Sequence, residues 1–468
     1  MTQSVKDIKQ IPGLNKTALN LFLFVLSFVA VSAILTWDKK ISHQAFAGTL
    51  ILVASCFTVL YFFLLQFRRE VLLVTRKVFF ILLALILFLG ITRIVAGFSD
   101  EDMIMLIPFA IVPIVIRTFY DARLALFILV VTILLACFMV QVKFDFILLN
   151  FVAGMAAIFT LRNVYRKSRL FFTAIMVTVT YIVIWTGISL MEQSTIPGDI
   201  AHPVLLFALN GFLVLISYPL IFLFEQNFLL LSDATLYELA DTNHPLLRKF
   251  AEEAPGSFQH SLQVANLAEE AARVIGANQM IVRVGSFYHD IGKIGNPKYF
   301  IENQVDDTSP HERLSPAQSA EMIISHVRNG VNLAKNYKLP VQIIDFIRMH
   351  HGTSIAYYFY KKYVDLHPDE FGLENIEKLF KYPGPKPFSK ETAVVMMADA
   401  VEASSRSLSS FTEESINDLV ERIIYLQEQD GQFSEVPLTF KDLSDIKEAM
   451  KKRLSNIYHA RVAYPGRF

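Results

Sequence analysis

Six of the chain's 11 histidines fall between residues 260 and 351 of 468: His260, His289, His311, His326, His350 and His351. Three of them lie in two adjacent ligand pairs, His289-Asp290 and His350-His351. A further carboxylate, Asp399, follows the apolar run Ala393-Val394-Val395-Met396-Met397-Ala398. An ionised carboxylate on such a helix needs a cation, or it costs several kcal/mol. His311 lies in the polar stretch 306–316 and reads as a solvated loop residue or as part of an active-site lid. The remaining seven side chains are imidazoles and carboxylates without thiolate, which suits iron, manganese or zinc and disfavours a structural zinc site. Seven groups exceed what one metal needs, and two metals sharing one carboxylate would use them all. Two ions about 3.5–4 Å apart activate a bridging water and stabilise in-line displacement at phosphorus. Taken singly, His289-Asp290 fits a helix-end salt bridge and His326 a satisfied core histidine. Taken as a set, the seven favour a metal centre.

The elements that must carry these residues read as helices. Ser257 precedes an apolar-periodic stretch through Leu262, Leu267 and Ile275, closed by Gly276. Ser315-Pro316 is an N-cap followed by proline at the first helical position. Pro340 opens 341–351 and Gly352 closes it; Ser389 opens a helix through Leu408, and Thr412 another through Gln429, ended by Gly431. The expectation is an all-α bundle, which can project ligands inward from several helices. No GxGxxG, Walker-type loop or GxSxG occurs, so nucleotide-fold and serine-hydrolase readings lose their usual support. Basic residues form no single face, so a long nucleic acid is disfavoured as partner. Cys56 and Cys137 sit in apolar runs and no CxxC exists, which excludes a disulfide framework and a cysteine zinc site.

The preceding half has another character. Hydrophobic residues make up 53% of the chain and charged residues 18%. Residues 1–225 hold 17 Lys/Arg against 11 Asp/Glu, and residues 226–468 hold 26 against 32. Crossing ~30 Å of hydrocarbon takes ~17–25 apolar residues. Eight candidates follow: Asn20–Trp37, Phe46–Gln66, Val78–Gly97, Met103–Ile116, Leu124–Val142, Phe146–Leu161, Leu170–Met191 and Pro203–Phe224. The first is read as a helix rather than a cleaved leader, since its apolar run is long and no small-residue cleavage site follows. The fourth carries Pro108 and Pro113 and is expected to be kinked or re-entrant. Arg93 reads as a snorkelling residue near a helix end. With the N-terminus inside, Lys6, Lys9, Lys16, Arg68, Arg69, Arg76, Lys77, Arg117, Arg123, Arg162, Arg166, Lys167 and Arg169 face the cytoplasm, against Lys39, Lys40 and Lys143 outside. An even number of spans then places the second half in the cytoplasm, beneath the cell (inner/plasma) membrane. The division reads as a transmembrane domain over 1–225, a connector helix and linker over 226–250, and a cytoplasmic domain over 251–468. Phe228 to Ala240 is expected to continue as an amphipathic connector helix; helices of this kind often pair, which leaves a homodimer open.

The motifs around the seven residues resemble a known family. His260, His289-Asp290 and Asp399 are similar to the H…HD…D signature of HD-domain metal-dependent phosphohydrolases. With Tyr299-Phe300-Ile301-Glu302-Asn303-Gln304, Ser325-His326-Val327, His350-His351-Gly352-Thr353, Tyr382-Pro383-Gly384-Pro385-Lys386-Pro387, Asp399 to Arg406 and Asp430-Gly431-Gln432-Phe433, the set resembles the membrane-anchored 7TM-HD group of cyclic di-AMP phosphodiesterases. The resemblance covers nearly all of residues 46–455. It implies a centre of two iron or two manganese ions and hydrolysis of cyclic di-AMP to pApA by a metal-bridging hydroxide. It further implies that His260, His289, Asp290 and Asp399 hold one ion and that His326, His350 and His351 hold the other, with Asp290 bridging. The family usually carries a large extracellular domain after its first helix; here only Asp38 to Ala45 lies there.

In that reaction Asp290 and Lys293 are the expected catalytic residues, and Lys293, Arg406 and His311 the expected substrate contacts. Lys293 reads equally as a helix-end surface charge, and Arg406 as the ion-pair partner of Glu402. A related group acting on cyclic di-GMP carries Gly-Tyr-Pro after its histidine pair, where this chain has Gly352-Thr353-Ser354. The alternatives are an HD phosphohydrolase acting on cyclic di-GMP or (p)ppGpp, and a non-catalytic nucleotide-binding receptor.

Overall fold

The computed structural model describes residues 16–37, 42–97, 101–161, 167–193, 200–304, 309–370 and 374–459. Helices dominate, as expected for an all-α chain; among the described residues the one β-type pairing is an isolated bridge between Ile355 and Lys381. The chain divides into two compact units, Met1–Ala234 and Thr235–Phe468.

Among the described residues, the first unit contains eight helices long and apolar enough to cross a membrane. They are Thr17–Thr36, His43–Phe67, Thr75–Gly97, Asp102–Phe119, Ala122–Met139, Lys143–Thr160, Ser168–Glu192 and Ala201–Phe228. In hydrocarbon only a helix or a closed barrel satisfies every backbone group internally, so runs of this composition become helices. The fourth span is interrupted, as its prolines predict. A 3-10 turn over Glu101–Leu106 gives way to an α-helix only at Ile111–Phe119. The eighth is also two helices, Ala201–Val214 and Ser217–Phe228. Pro219 lacks the N–H that would bond the Leu215 carbonyl, and its ring crowds that carbonyl, which the sequence reading passed over. Arg93 donates to the carbonyl of Trp37, and Arg68 pairs with Asp121. Of the loop charges used for orientation, Lys6, Lys9, Lys39, Lys40, Arg162 and Arg166 lie outside the described residues.

The expected continuous connector helix does not form. The α-helix ends at Phe228, Leu229 turns left-handed at φ 52°, and a separate helix runs over Asp233–Leu239. Glu225 Oε1 accepts the backbone N–H of Ser232 at 2.6 Å, a polar closure that competes with helix continuation.

In the second unit, Pro255–Val274 is the central helix. Its Val264, Leu267, Ala268 and Ala271 pack in one buried cluster with Val394, Ala398 and Val401 of Lys390–Ser405, and with Ile446 and Met450 of Phe440–His459. Each fully buried leucine or valine here contributes about 1.5–3 kcal/mol. The alanines let the helices approach closely enough to bring His260 against Asp399. Ser315 and Ser389 cap their helices as expected, and Gly276, Gly352 and Gly431 all have positive φ at the predicted ends.

The central helix starts at Pro255 rather than after Ser257. Its cap comes from elsewhere in the chain: Asn303 Oδ1 accepts the N–H groups of Gly256 at 2.8 Å and Ser257 at 3.1 Å. Substitution Asn303→Ala is expected to cost about 1 kcal/mol, the usual worth of a helix cap. The check is a lower thermal midpoint of the full chain, with Gln304→Ala unchanged as control.

Candidate metal centre

Five helix ends and faces converge on one buried point. His260 comes from Pro255–Val274, His289 and Asp290 follow Gln279–Tyr288, His326 stands on Pro316–Asn336, His350 and His351 end Val341–Met349, and Asp399 stands on Lys390–Ser405. Six of the seven are buried; His351 is half-buried. His260, His289, Asp290 and Asp399 offer ligand atoms within 4.8 Å of one another, and so do His326, His350 and His351.

Asp290 divides its two oxygens between these groups. Oδ2 lies 3.3 Å from His289 Nε2 and 3.7 Å from His260 Nε2. Oδ1 lies 3.3 Å from His326 Nε2 and 3.7 Å from His350 Nε2. Asp399 Oδ1 is 2.8 Å from His260 Nε2 and 3.5 Å from His289 Nε2, and its Oδ2 is 3.8 Å from His351 Nδ1.

The imidazoles are held from behind. His289 Nδ1 donates to Ser286 O at 2.7 Å, His326 Nδ1 to Ile323 O at 2.6 Å, and His350 Nδ1 to Ile347 O at 3.0 Å. His260 Nδ1 donates to Glu402 Oε2. Each bond assigns the proton to Nδ1 and turns the Nε2 lone pair inward, the tautomer a metal ligand needs. Two of the inward atoms, His289 Nε2 and Asp290 Oδ1, are buried without a hydrogen-bond partner. Orphaned buried acceptors are costly, and a divalent cation would satisfy both. The residues present therefore fit a pair of metal ions.

The electrostatics of both carboxylates and of His350 agree with that fit. Burial pushes the Asp290 carboxyl up, but Lys293 first and then His289 outweigh it and hold the group well below its usual range. Asp399 is likewise held low, burial being outweighed by the neighbouring His260 and His289. Burial, then the neighbouring His351 and His289, push His350 well below its ordinary value, which favours the neutral imidazole that can ligate.

Lys293 is not a free surface charge. Its Nζ lies 2.7 Å from Asp290 Oδ2 and 2.8 Å from Glu302 Oε1, over the Phe300 ring at 4.8 Å. Burial would lower its pKa, but Asp290 and then Glu302 hold it above the usual value. Glu302 in turn accepts from Ser257 Oγ at 2.6 Å. Arg406 donates to Glu402 Oε1 through Nε at 3.1 Å and a terminal nitrogen at 2.8 Å. His311 stays apart from the seven. Its Nε2 bonds the Tyr299 carbonyl at 2.9 Å, and it lines a pocket with Tyr299, Phe300, Glu302, Phe359 and Lys362.

Two contributors were missed as parts of the site. Glu402 stands one turn after Asp399 on the same helix face, a signal that pairing it with Arg406 alone had obscured. Tyr382, whose ring centroid is 4.2 Å from that of His351, carried no signal outside its motif. Substitution Glu402→Gln leaves the amide's carbonyl as a weaker acceptor for His260, and loss of such an orienting partner costs roughly 10–100-fold in metal affinity or activity. The check is metal affinity of the full chain by competition with a chelator; Arg406→Ala should have the smaller effect.

Residues 43–232 match the family model described as "7TM receptor with intracellular HD hydrolase", and residues 257–404 match the HD domain. An all-helical HD domain behind a multi-pass membrane module is thus the class of protein. The cyclic-di-AMP phosphodiesterase PgpH of Bacillus subtilis (strain 168) is 41% identical over 317 residues, 67% of this chain and 44% of that protein. Its namesake from Listeria monocytogenes serotype 1/2a (strain 10403S) is 34% identical over 442 residues, 92% of this chain and 60% of that protein. A crystal structure of the L. monocytogenes PgpH HD domain in complex with cyclic-di-AMP is 43% identical, with a TM-score of 0.45 over 47% of this chain and 100% of that one. The chain belongs to the 7TM-HD family of PgpH type. It spans about half the length of the two curated relatives.

Proposed function

We propose that this chain is a membrane-bound, metal-dependent phosphodiesterase that hydrolyses cyclic di-AMP to pApA, with its second unit in the cytoplasm. The observation that carries the reading is the split of the Asp290 carboxylate between two sets of histidine ligands. The activity named for the two PgpH relatives supports the substrate, and the Lys/Arg asymmetry of the short loops supports the orientation.

His260, His289, Asp290 and Asp399 would hold one ion and His326, His350 and His351 the other, with iron and manganese matching the donor set. When bound, two such ions supply Lewis-acid charge and lower the pKa of water toward ~7, providing hydroxide for in-line attack at phosphorus. The chain's own residues prepare that event. Carbonyl and carboxylate acceptors behind the rings fix which nitrogens face inward. Lys293 keeps Asp290 ionised and holds it between the two sets. Glu302, Phe300 and Tyr382 wall the site and limit water around the reacting phosphate.

The test is turnover by the full chain in nanodiscs loaded with iron or manganese, with cyclic di-AMP, cyclic di-GMP and (p)ppGpp as competing substrates. Cyclic di-AMP is expected to give pApA fastest, and a chelator should abolish the reaction until metal is restored. Absence of pApA under metal-replete conditions, or faster turnover of either rival, rejects the proposal.

A further inference from the structure

Among the seven ligand residues, His351 is the one that is not buried. The metal centre therefore opens to solvent beside it, and a phosphate reaches the centre past this ring. The residue standing there is Tyr382. Its ring packs on His351, with centroids 4.2 Å apart and planes 33° apart, and its centroid lies 6.2 Å from that of His326. Both neighbours belong to the three-histidine ligand group. The backbone fixes this ring. Tyr382 follows the bridge between Ile355 and Lys381, and its N–H donates to Ser354 O at 2.9 Å, three residues beyond His351. Further along the same segment, Lys386 Nζ donates to Gly431 O at 2.8 Å.

The Tyr382 side chain is 8% exposed, yet its hydroxyl has no hydrogen-bond partner among the described residues, and the oxygen is reachable rather than sealed. A phenol is a donor as well as an acceptor, and buried polar groups are ordinarily paired. This one is an unused donor at the mouth of the site. Burial pushes its pKa up, and the charges that act on it are those of Lys293, Asp290 and Asp399, all of them at the centre. The other candidate donors are engaged. Lys293 is shared between Asp290 and Glu302, Arg406 gives two hydrogen bonds to Glu402, and His311 bonds the Tyr299 carbonyl. A phosphoryl oxygen turned toward the opening therefore has Tyr382 as its available O–H donor.

We infer that the Tyr382 hydroxyl donates a hydrogen bond to a non-bridging oxygen of the phosphoryl group bound at the metal centre, which makes it a catalytic residue of the hydrolysis. The inference rests on the proposed function for its substrate, but the contact is with phosphate and is measurable without turnover. A donor aimed at an ionised oxygen is stronger than a neutral pair, and it gains as charge builds there in the transition state.

Tyr382→Phe removes the oxygen and keeps the ring on His351. The full chain in nanodiscs, loaded with manganese, is read in two ways: affinity for inorganic phosphate by titration calorimetry against protein-free discs, and kcat/KM for cyclic di-AMP. Both are expected to fall at least about tenfold, the worth of a hydrogen bond to a charged group, with metal content and thermal midpoint unchanged. Tyr425→Phe, at an exposed position on the helix Glu413–Gln429, should change neither. A parent that binds phosphate but leaves cyclic di-AMP intact sinks the hydrolysis reading, while a tenfold loss of phosphate affinity in Tyr382→Phe still upholds the contact. A parent that binds no phosphate, a smaller loss of phosphate affinity, a smaller loss of kcat/KM where the parent is active, or loss of metal from Tyr382→Phe overturns the inference.

Discussion

Substitution Asp290→Ala is expected to empty the metal centre and to lower kcat/KM for cyclic di-AMP by at least about a thousandfold, on the order of 4 kcal/mol of transition-state stabilisation. The size of the effect follows from geometry. Asp290 places one oxygen 3.3 Å from His289 and the other 3.3 Å from His326, so its removal takes a ligand from each group. It also leaves Lys293 buried with Glu302 as its remaining carboxylate partner, and an under-compensated buried charge is strongly destabilising. The substitution Asp290→Asn separates these effects, since it keeps the shape and removes the charge. Both variants should purify with well under one metal ion per chain by elemental analysis, where the parent is expected to hold two. Full turnover in Asp290→Ala would reject the metal reading of this site.

The second large effect is expected from one methyl group. At Gly292 an added Cβ would collide with the carbonyl oxygen of His326 and crowd the backbone nitrogen of Gly330. Both obstacles are backbone, so neither can rotate away. The turn carrying Asp290 must then move off the helix carrying His326, which opens the 3.3 Å approach between them. Overpacking of this kind costs about 1–3 kcal/mol, and here the displaced atoms are the proposed ligands. Gly292→Ala should therefore lower the thermal midpoint and reduce metal occupancy together. The control is Gly295→Ala in the same 3-10 turn, where a Cβ meets nothing within 4 Å. If both variants keep full metal content, the close approach at Gly292 does not position the centre.

These two residues show how unevenly the site could be read. Asp290 announces itself, because His289-Asp290 and the other ligand residues are chemically conspicuous. Gly292 does not, because what crowds it is a carbonyl on another helix. Lys293 was legible as a cation near the centre, yet its engagement with Glu302 was not. Arg406 and Glu402 were legible as a helical i,i+4 pair, whereas the bond from His260 to Glu402 joins residues 142 apart.

Composition and local pattern alone determined a great deal: eight spans, the helix caps at Ser315 and Ser389, the positive-φ ends at Gly276 and Gly431, and the types of ligand available. Such features depend on a residue and its neighbours within a turn or two, so one strand of letters suffices. Only the tertiary structure decided which oxygen of Asp290 faces which histidines, that Asn303 caps a helix 46 residues away, that Leu229 interrupts the connector, and that Tyr382 packs on His351. Those outcomes depend on which surfaces pack together, and packing joins atoms whose separation along the chain carries no period to read.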